Sequence, residues 1–243
     1  MSRRTSPVII AALTGALGAG CGPDQATAPT FSNVELPTFP SDPSGFVSQI
    51  DNPYLAFAPG RVFRYRSETA DGLETNVVEV TTQTKRILGI AATVVHDQVF
   101  LDGVLVEDTF DWYAQDTQGN VWYLGEDSRQ IQNGVVVGTE GSWEAGVNGA
   151  SAGLIMLAHP TVGTQYQQEF AEGVAEDMAK VLSLSATADV AYGAFTGCLK
   201  TEEWTPLEPG DREAKFYAPG VGLVLELQPK GGGVRNELTS IEN

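Results

Sequence analysis

The stretch DWYAQDTQGNVWY, residues 111–123, sets the pattern of the chain, because a second stretch repeats it. The second copy is KFYAPGVGLVLE, residues 215–226. Each copy has an aromatic pair, an alanine, a short turn with glycine, and then valine with further apolar residues. Aromatic and β-branched residues on both sides of a glycine-containing turn are typical of a β-hairpin. The repetition therefore predicts a duplicated antiparallel unit.

The same spacing extends beyond the hairpin. Trp112 and Phe216 are 104 residues apart, and the other matched segments lie 103 or 104 residues apart. A spacing this steady predicts two copies of one β unit, at about residues 60–127 and 163–228. A sheet with one apolar face must cover that face. We therefore expect an all-β antiparallel fold, in which the two units form a large curved sheet or an open barrel, with few or no helices apart from the leader.

The first twenty residues are typical of a secretory leader. Arg3 and Arg4 precede a short apolar run at residues 8–19, which is too short to span a membrane. The sequence Leu-Gly-Ala-Gly-Cys that ends at Cys21 resembles the lipid-attachment motif of bacterial lipoproteins. The resemblance implies a lipid on Cys21 and a place in the bacterial cell envelope, anchored to the membrane through that lipid. Ordinary export with cleavage nearby is the alternative.

Composition divides the chain into three parts. Residues 1–20 form the leader, residues 21–51 predict a lipidated flexible tether rich in Pro, Ser, Thr and Asp, and residues 52–243 form the β domain. Removing the leader removes two arginines and no acid, which takes the formal net charge from −17 to −19. This charge repels nucleic acid, so no nucleic-acid partner is expected. Cys198 is expected to be buried and unreactive.

Local signals place the turns and the connections. The pairs Asp-Gly at 102–103 and Asn-Gly at 133–134 predict two-residue hairpins with type I′ turns. Residues 138–160 show neither strand alternation nor a helical period, and predict a long loop that ends in a short apolar plug. Residues 172–183 carry an apolar stripe compatible with a helix. Their counterpart in the first unit reads as a strand, so a strand is predicted.

The aromatic stretches at residues 111–116, 119–123 and 217–224 resemble those of a group of uncharacterised bacterial secreted proteins and lipoproteins. The likeness covers about residues 52–226 and implies no established activity or catalytic residue. More loosely, the pattern is similar to the curved-sheet lipoprotein carriers of the bacterial envelope, which cradle lipophilic ligands on a half-open sheet. That second resemblance implies a lipophilic cargo only through analogy of fold.

Neither the histidines nor any known sequence motif indicates a catalytic site. His96 precedes Asp97, but neighbours on a strand point to opposite faces and do not easily form a dyad. His159 precedes a proline and predicts a loop position. The chain contains no HExxH, CxxC, phosphate-loop or dinucleotide motif and no nucleophile elbow. We therefore predict no catalytic residue and no metal site.

Acidic residues gather on or beside neighbouring strands of the first unit. These residues are Asp97, Asp108, Asp111, Asp116, Glu126 and Asp127. The turn at residues 116–120 supplies oxygen atoms of the kind that calcium accepts, without the spacing of an EF-hand. Asp, Asn and Gly also favour tight turns for backbone reasons alone. No cofactor is predicted, and calcium at this turn is the alternative.

The aromatic side chains are the predicted ligand-binding residues. The four candidates are Trp122, Trp143, Trp112 and Tyr123. Trp122 and Trp143 have no aromatic counterpart in the second unit, which favours a specific role over a scaffolding role. The alternative is that these side chains pack the core, and it is strongest for Trp112, which both copies keep as an aromatic residue.

Three functions remain open. The leading hypothesis is non-enzymatic binding or carriage of a small or lipophilic ligand, with a carbohydrate as the polar alternative. A lipophilic carrier predicts a continuous apolar cavity with few charged groups. A carboxylate-based hydrolase predicts a polar cleft with opposed acids, one of them with a raised pKa. A structural or interaction module predicts a flat apolar patch.

Overall fold

The computed structural model describes residues 36–228 and 233–243, which fold almost entirely into β-strands. Within these ranges the one helical element is a short 3₁₀ turn at Pro43–Gly45. No helix of the described residues has the length and apolar character needed to cross a bilayer. The fourteen strands are β1 Val62–Thr69, β2 Gly72–Ile87, β3 Ile90–Leu101, β4 Val104–Gln115, β5 Val121–Gln132, β6 Val135–Gly138, β7 Trp143–Glu144, β8 Gly153–Met156, β9 Gln165–Gln167, β10 Met178–Val190, β11 Gly193–Trp204, β12 Glu213–Ala218, β13 Gly222–Gln228 and β14 Val234–Glu242. The predicted all-β class is confirmed.

All fourteen strands belong to one antiparallel sheet. Its order is β6-β5-β4-β3-β2-β1-β14-β13-β12-β11-β10-β9, and β7 and β8 both pair with β5 off this path. The sheet is large and curved and does not close on itself, which confirms the curved-sheet expectation. Each predicted unit supplies a run of five successive strands, β1–β5 and β9–β13, and β14 lies between the runs beside β1 and β13. The duplication itself stays a prediction.

Two-residue turns fix the hairpins of the first run. Asp102 and Gly103 both have positive φ, at 49° and 80°, and Asn133 and Gly134 follow at 54° and 74°. Positive φ at both central residues is the geometry of a type I′ turn, which matches the right-handed twist of the strands that it joins. Both predicted hairpins are confirmed.

Strand alternation separates two faces of the sheet. One face carries Val78 on β2, Asp97 on β3 and Asp111 on β4, all of them buried, and we call it the inner face. His96 lies on the outer face, where its ring stacks on Phe110 at 4.3 Å between ring centres. Asp97 and His96 therefore point away from each other, as the period of a strand requires.

The connection at residues 138–160 is more ordered than the sequence predicts. The expected loop contains β7 and β8, both paired with β5, so the prediction of an unstructured loop is wrong for these six residues. The apolar plug is confirmed as buried, because Leu154, Ile155 and Met156 are at most 4% exposed. These strands are too short and too uniformly buried to produce a recognisable alternation.

The end of the predicted tether also packs on the sheet. Phe39 meets Trp122 edge-on at 5.1 Å between ring centres, and Ile50 is 4% exposed. Phe39 and Ile50 therefore bury apolar surface on the strands, and the flexible tether at residues 21–51 stays a prediction. The leader, Cys21 and the tether up to residue 35 lie outside the described residues.

The remaining local predictions concern the second run. The segment predicted as a strand at residues 172–183 enters β10 at Met178, after a turn at residues 172–174. The strand assignment is therefore confirmed from Met178 onward and is wrong for residues 172–177, which precede the strand. Cys198 is fully buried with a free thiol, in agreement with its expected inert role.

Beside the two ends of the open sheet, two segments touch at a contact that we call the seam. Ser151 forms a bridge with Phe170, beside the start of β8. A methyl group added to Gly153 would overlap the main-chain oxygen of Gln168 and lie 2.7 Å from the nitrogen of Glu169. The seam therefore depends on a residue without a side chain, which lets two backbones touch.

We expect Gly153→Ala to lower the free energy of unfolding by about 1–3 kcal/mol, the usual cost of overpacking. The control is Gly134→Ala, where an added methyl group meets nothing within 4 Å and only the backbone conformation is strained. Urea unfolding at neutral pH measures both. Equal losses in the two variants would show that the backbones at the seam have room to separate.

Candidate functional site

The inner face of the sheet carries buried acids from both runs of strands. Seven of these carboxyl side chains are at most 5% exposed, namely Glu74, Asp97, Asp111, Glu126, Glu169, Glu203 and Glu226. Lys215 is the one buried basic side chain among the residues that the structure describes. Burying a carboxylate without a partner is costly, so such a concentration needs a specific explanation.

The first group of acids surrounds two stacked tyrosines. Tyr113 and Tyr123 lie 4.7 Å apart between ring centres, at an interplanar angle of 18°. Burial, followed by the charges of Asp111, Glu126, Glu169 and Asp97, raises the pKa of Tyr113 well above its ordinary value, so all four carboxyls act on that hydroxyl. We call these four acids and two tyrosines the acid cluster.

A β-bulge brings Tyr123 and Glu126 to the same face. Residues three apart on a regular strand point to opposite faces. The register between β4 and β5 shifts between Asp111 and Tyr113, which pair with Glu126 and Tyr123 respectively. The extra residue on β5 lets both side chains point inward beside Asp111.

The Tyr123 hydroxyl connects two of the acids. It donates to Asp111 Oδ1 at 2.6 Å and lies 3.1 Å from Glu126 Oε2. A phenol has one proton to donate, so the second contact is a hydrogen bond only when the carboxyl itself is protonated. This arrangement fits carboxylic acids that are neutral at ordinary pH.

Several buried polar atoms of the acid cluster have no hydrogen-bond partner among the described residues. They are Asp97 Oδ2, Asp111 Oδ2, the Tyr113 hydroxyl, Glu126 Oε1 and both carboxyl oxygens of Glu169. Buried polar atoms in native proteins are almost always hydrogen-bonded, and each exception needs its own explanation. Glu169 is fully buried and reaches the cluster from the segment that follows β9.

Burial dominates the protonation of these acids. It raises the pKa of Asp111 to about 8, against the hydrogen bond from Tyr123 and with help from Glu107. Burial, then Glu169 and Asp111, raises the pKa of Glu126 well above its usual range. Burial and the neighbouring charges of Asp177 and Asp111 do the same for the pKa of Glu169. Asp111 is therefore mainly protonated at neutral pH, and the surroundings of Glu126 and Glu169 favour their neutral forms in the same direction.

In the second run of strands, a buried lysine neutralises the buried acids. Lys215 Nζ lies 3.0 Å from Glu203 Oε2 and 3.6 Å from Glu213 Oε2. Burial acts to lower the pKa of Lys215, but the charges of Glu203, Glu213 and Glu226 outweigh it and hold that pKa well above its usual value. The Tyr217 hydroxyl donates to Glu203 at 3.0 Å. We call these five residues the lysine cluster.

The four predicted ligand-binding aromatics do not gather at one place. Trp122 donates its indole N–H to Asp116 at 2.8 Å and packs against Phe39. Trp112 lies under the ammonium group of Lys85, 3.1 Å from the ring centre. Tyr123 belongs to the acid cluster, and Trp143 packs edge-on against it at 5.3 Å between ring centres. All four are buried, and their ligand-binding role stays a prediction.

The turn at residues 116–120, the alternative calcium site, is held together by the side chain of Asp116. Its Oδ1 accepts from the main-chain N–H groups of Gln118 and Asn120 at 2.8 and 3.0 Å. Its Oδ2 accepts from the Asn120 amide and the Trp122 indole at 3.0 and 2.8 Å. The carboxylate is thus used by the turn itself, as the backbone alternative predicts. Residues 36–228 and 233–243 contain no group of three or more His, Cys, Asp or Glu arranged to hold a metal ion.

The two histidines take no part in the acid cluster. His96 Nε2 lies 2.7 Å from Asp108 Oδ1 on the outer face. His159 is exposed between β8 and β9.

Sequence reasoning named Asp97, Asp111 and Glu126 but missed Glu169, Tyr113 and Lys215 as partners. The position of Lys215 within the repeated stretch was the available signal for the lysine. Nothing in the local sequence marks Glu169.

Comparisons with known proteins show no family for this chain. No family model and no curated protein matches the chain. Two solved structures are similar. One is a protein assigned as exported, with a YmcC-like fold, from Bacteroides fragilis (16% identity, TM-score 0.45, 76% of this chain and 97% of that chain covered). The other is a protein assigned as a lipoprotein, from Parabacteroides distasonis (11% identity, TM-score 0.44, 80% of this chain and 100% of that chain covered). Neither description names a ligand or a reaction.

We expect Lys215→Met to lower the free energy of unfolding by about 3–5 kcal/mol, because it leaves buried acids without their cation. The matched control is Lys200→Met, whose ammonium lies 5.0 Å from the Phe216 ring centre on a partly exposed surface. Losing that cation–π contact costs less than about 1 kcal/mol. Urea unfolding at pH 7 measures both, and similar losses would refute the role of Lys215 as the neutralising group.

The acid cluster also predicts how stability depends on pH. The pKa of Asp111 is raised from 3.8 to about 8, so the folded state binds more protons than the unfolded state between these values. The stability that this acid contributes is complete below about pH 4 and is lost as pH rises towards 8. Unfolding in urea at pH 5, 7 and 9 should show decreasing stability, with a shallower decrease in Asp111→Asn. A stability that increases over this range would contradict the assignment.

Proposed function

We propose that the chain is an exported binding protein whose inner face takes a small polar ligand at the acid cluster. The single observation that carries this proposal is the set of buried polar atoms without partners around Tyr113 and Glu169. A ligand with hydrogen-bonding groups would form the hydrogen bonds that these atoms lack. Each bond would offset the free-energy cost of burying a polar atom without a partner.

The chemistry of the inner face favours a polar ligand over a lipophilic one. An apolar tail placed among buried carboxyls and hydroxyls would leave their hydrogen bonds unmade. Binding sites typically combine apolar walls with a few polar groups that orient the ligand. Trp143, packed edge-on against Tyr123, supplies apolar surface beside the acids.

The protonation of the acids argues against a carboxylate-based hydrolase. Such an enzyme needs one carboxyl protonated and the other ionised, with environments that move their pKa values apart. Asp111 and Glu126 both have raised pKa values, from the same cause. Neither carboxyl of the pair therefore has surroundings that favour its ionised form, which supports binding over hydrolysis.

The envelope location belongs to the same proposal. The leader at residues 1–20 and the motif that ends at Cys21 support export and attachment by a lipid. The segment between Cys21 and the first packed residues would then hold the sheet close to the membrane surface. The net negative charge of the chain supports a ligand that is not an anion.

The proposal is tested with Tyr113→Phe, which removes a buried hydroxyl that has no partner among the described residues. Its control is Tyr217→Phe, the corresponding tyrosine of the lysine cluster, whose hydroxyl donates to Glu203. Without ligand, we expect Tyr113→Phe to be at least as stable as the parent. Tyr217→Phe should lose about 1.5–3 kcal/mol, the value of a hydrogen bond to a charged group.

The probes are glucosamine, which carries hydroxyls and an ammonium, and dodecanoate, which carries an apolar tail. We expect glucosamine to raise the thermal unfolding midpoint of the parent and of Tyr217→Phe, and to act less on Tyr113→Phe. Isothermal titration calorimetry then gives the three affinities. Stabilisation by dodecanoate alone, or by neither probe, would contradict a polar site.

A further inference from the structure

Asp111 and Lys215 occupy corresponding positions in the two runs of strands. Each lies on the fourth strand of its run and is followed by an aromatic residue, a tyrosine and an alanine. Each is paired in register with a glutamate on the fifth strand, Glu126 for Asp111 and Glu226 for Lys215. A register shift between this pair and the pair formed by the following tyrosine is also common to both runs.

The neighbouring strand extends the correspondence. The register partner of Asp111 on the third strand is Val95, and Asp97 follows it two residues later on the same face. The register partner of Lys215 is Thr201, and Glu203 follows it two residues later. Each central residue therefore meets one acid from the third strand and one from the fifth strand of its run.

The two clusters differ in charge at this central position. In the lysine cluster an ammonium group lies among the acids, within 3.0 Å of Glu203 and 3.6 Å of Glu213. In the acid cluster the same position is a fourth carboxyl, and no described residue forms an ion pair with Asp97, Asp111 or Glu126. Glu169, whose two oxygens have no hydrogen-bond partner in the described chain, faces these acids from a separate segment.

We propose that the ligand of the acid cluster is a small organic amine, whose primary ammonium group binds among Asp111, Glu126 and Glu169 as the ammonium of Lys215 binds among its own acids. This inference rests on the proposed function and names its ligand class. A primary ammonium donates three hydrogen bonds and accepts none. The carboxyl atoms without partners are oxygens, which accept hydrogen bonds when the acids are ionised.

An ammonium fits the arrangement better than a metal ion does. The described acids include no group with the geometry of a metal site. The charges of both Asp111 and Lys215 act on Glu169. A single ammonium group on a short chain needs no convergent set of ligands, and its charge is attracted strongly at a buried site.

Binding of an ammonium is coupled to loss of protons from the acids. A cation favours ionised carboxylates, so the acids must release protons as the amine binds. Affinity is therefore expected to increase from pH 6 to pH 8.5, through the pKa of Asp111 near 8. The groups that face this site are Asp97, Glu107, Tyr113, Tyr123, Glu126, Glu169, Asp177, Glu203 and Lys215.

The experiment uses calorimetry on the full chain with two matched pairs of probes. The first pair is n-butylammonium, which copies a lysine side chain, and 1-butanol. The second pair is glucosamine and glucose. We expect each amine to bind more tightly than its neutral partner at pH 7. n-Butylammonium, which stays protonated over the whole range as a lysine side chain does, should also bind more tightly at pH 8.5 than at pH 6.

Two variants test the position of the ammonium. Asp111→Lys supplies an ammonium from the chain itself, as the lysine cluster does. This variant should no longer bind either amine, and its free energy of unfolding should not decrease above pH 7. Glu169→Gln keeps the shape and removes the charge, and should weaken amine binding by about thirtyfold or more. Glu79→Gln, an exposed acid on β2, is the control that should bind like the parent.

The outcomes separate the amine inference from the proposed function. Equal binding of glucose and glucosamine, or no weakening in Glu169→Gln, overturns the amine inference and leaves a polar site in place. Binding by none of the four probes overturns both. If Asp111→Lys does not fold, the Glu169→Gln and Glu79→Gln pair still decides the result.

Discussion

The structure depends on how its buried carboxyls are compensated. Seven fully or almost fully buried acids lie on the inner face of one curved sheet, with Lys215 as the only buried basic side chain among the described residues. An ionised acid in such surroundings is unfavourable by several kcal/mol unless a cation or several donors neutralise it. The lysine cluster uses an ion pair for this purpose. The acid cluster uses protonation, assisted by the hydroxyl of Tyr123.

The curvature of the sheet is what makes these acids neighbours. Asp111 and Glu126 lie in the first run of strands, and Glu169 lies more than forty residues further along the chain. The bridge between Ser151 and Phe170, and the contact at Gly153, bring the two ends of the sheet together. A flat sheet of the same strands would leave these carboxyls in water, where their pKa values would be ordinary.

Inner and outer faces carry different kinds of polar interaction. On the outer face, charged groups meet in partly exposed pairs such as Lys85 with Glu144 at 2.7 Å, which contribute little to stability because water screens them. Inside, the same types of group are desolvated, so each interaction matters more and each unpaired atom costs more. This contrast is why the inner face, and not the abundant surface charge, is the place to look for a ligand.

The sequence alone determined the strand class, the hairpins and the burial of the plug, because these follow from local features: alternation, aromatic runs and turns that need positive φ. It also named Asp97, Asp111 and Glu126 as neighbours, since consecutive hairpins place adjacent strands side by side. It did not predict which face these acids occupy, because a bulge after Asp111 reverses the inward direction on β5. Nor did it predict Glu169 as a partner, or β7 and β8 as strands. Those features depend on pairing between distant parts of the chain, which only the tertiary structure decides, since long-range contacts leave no period in the local sequence.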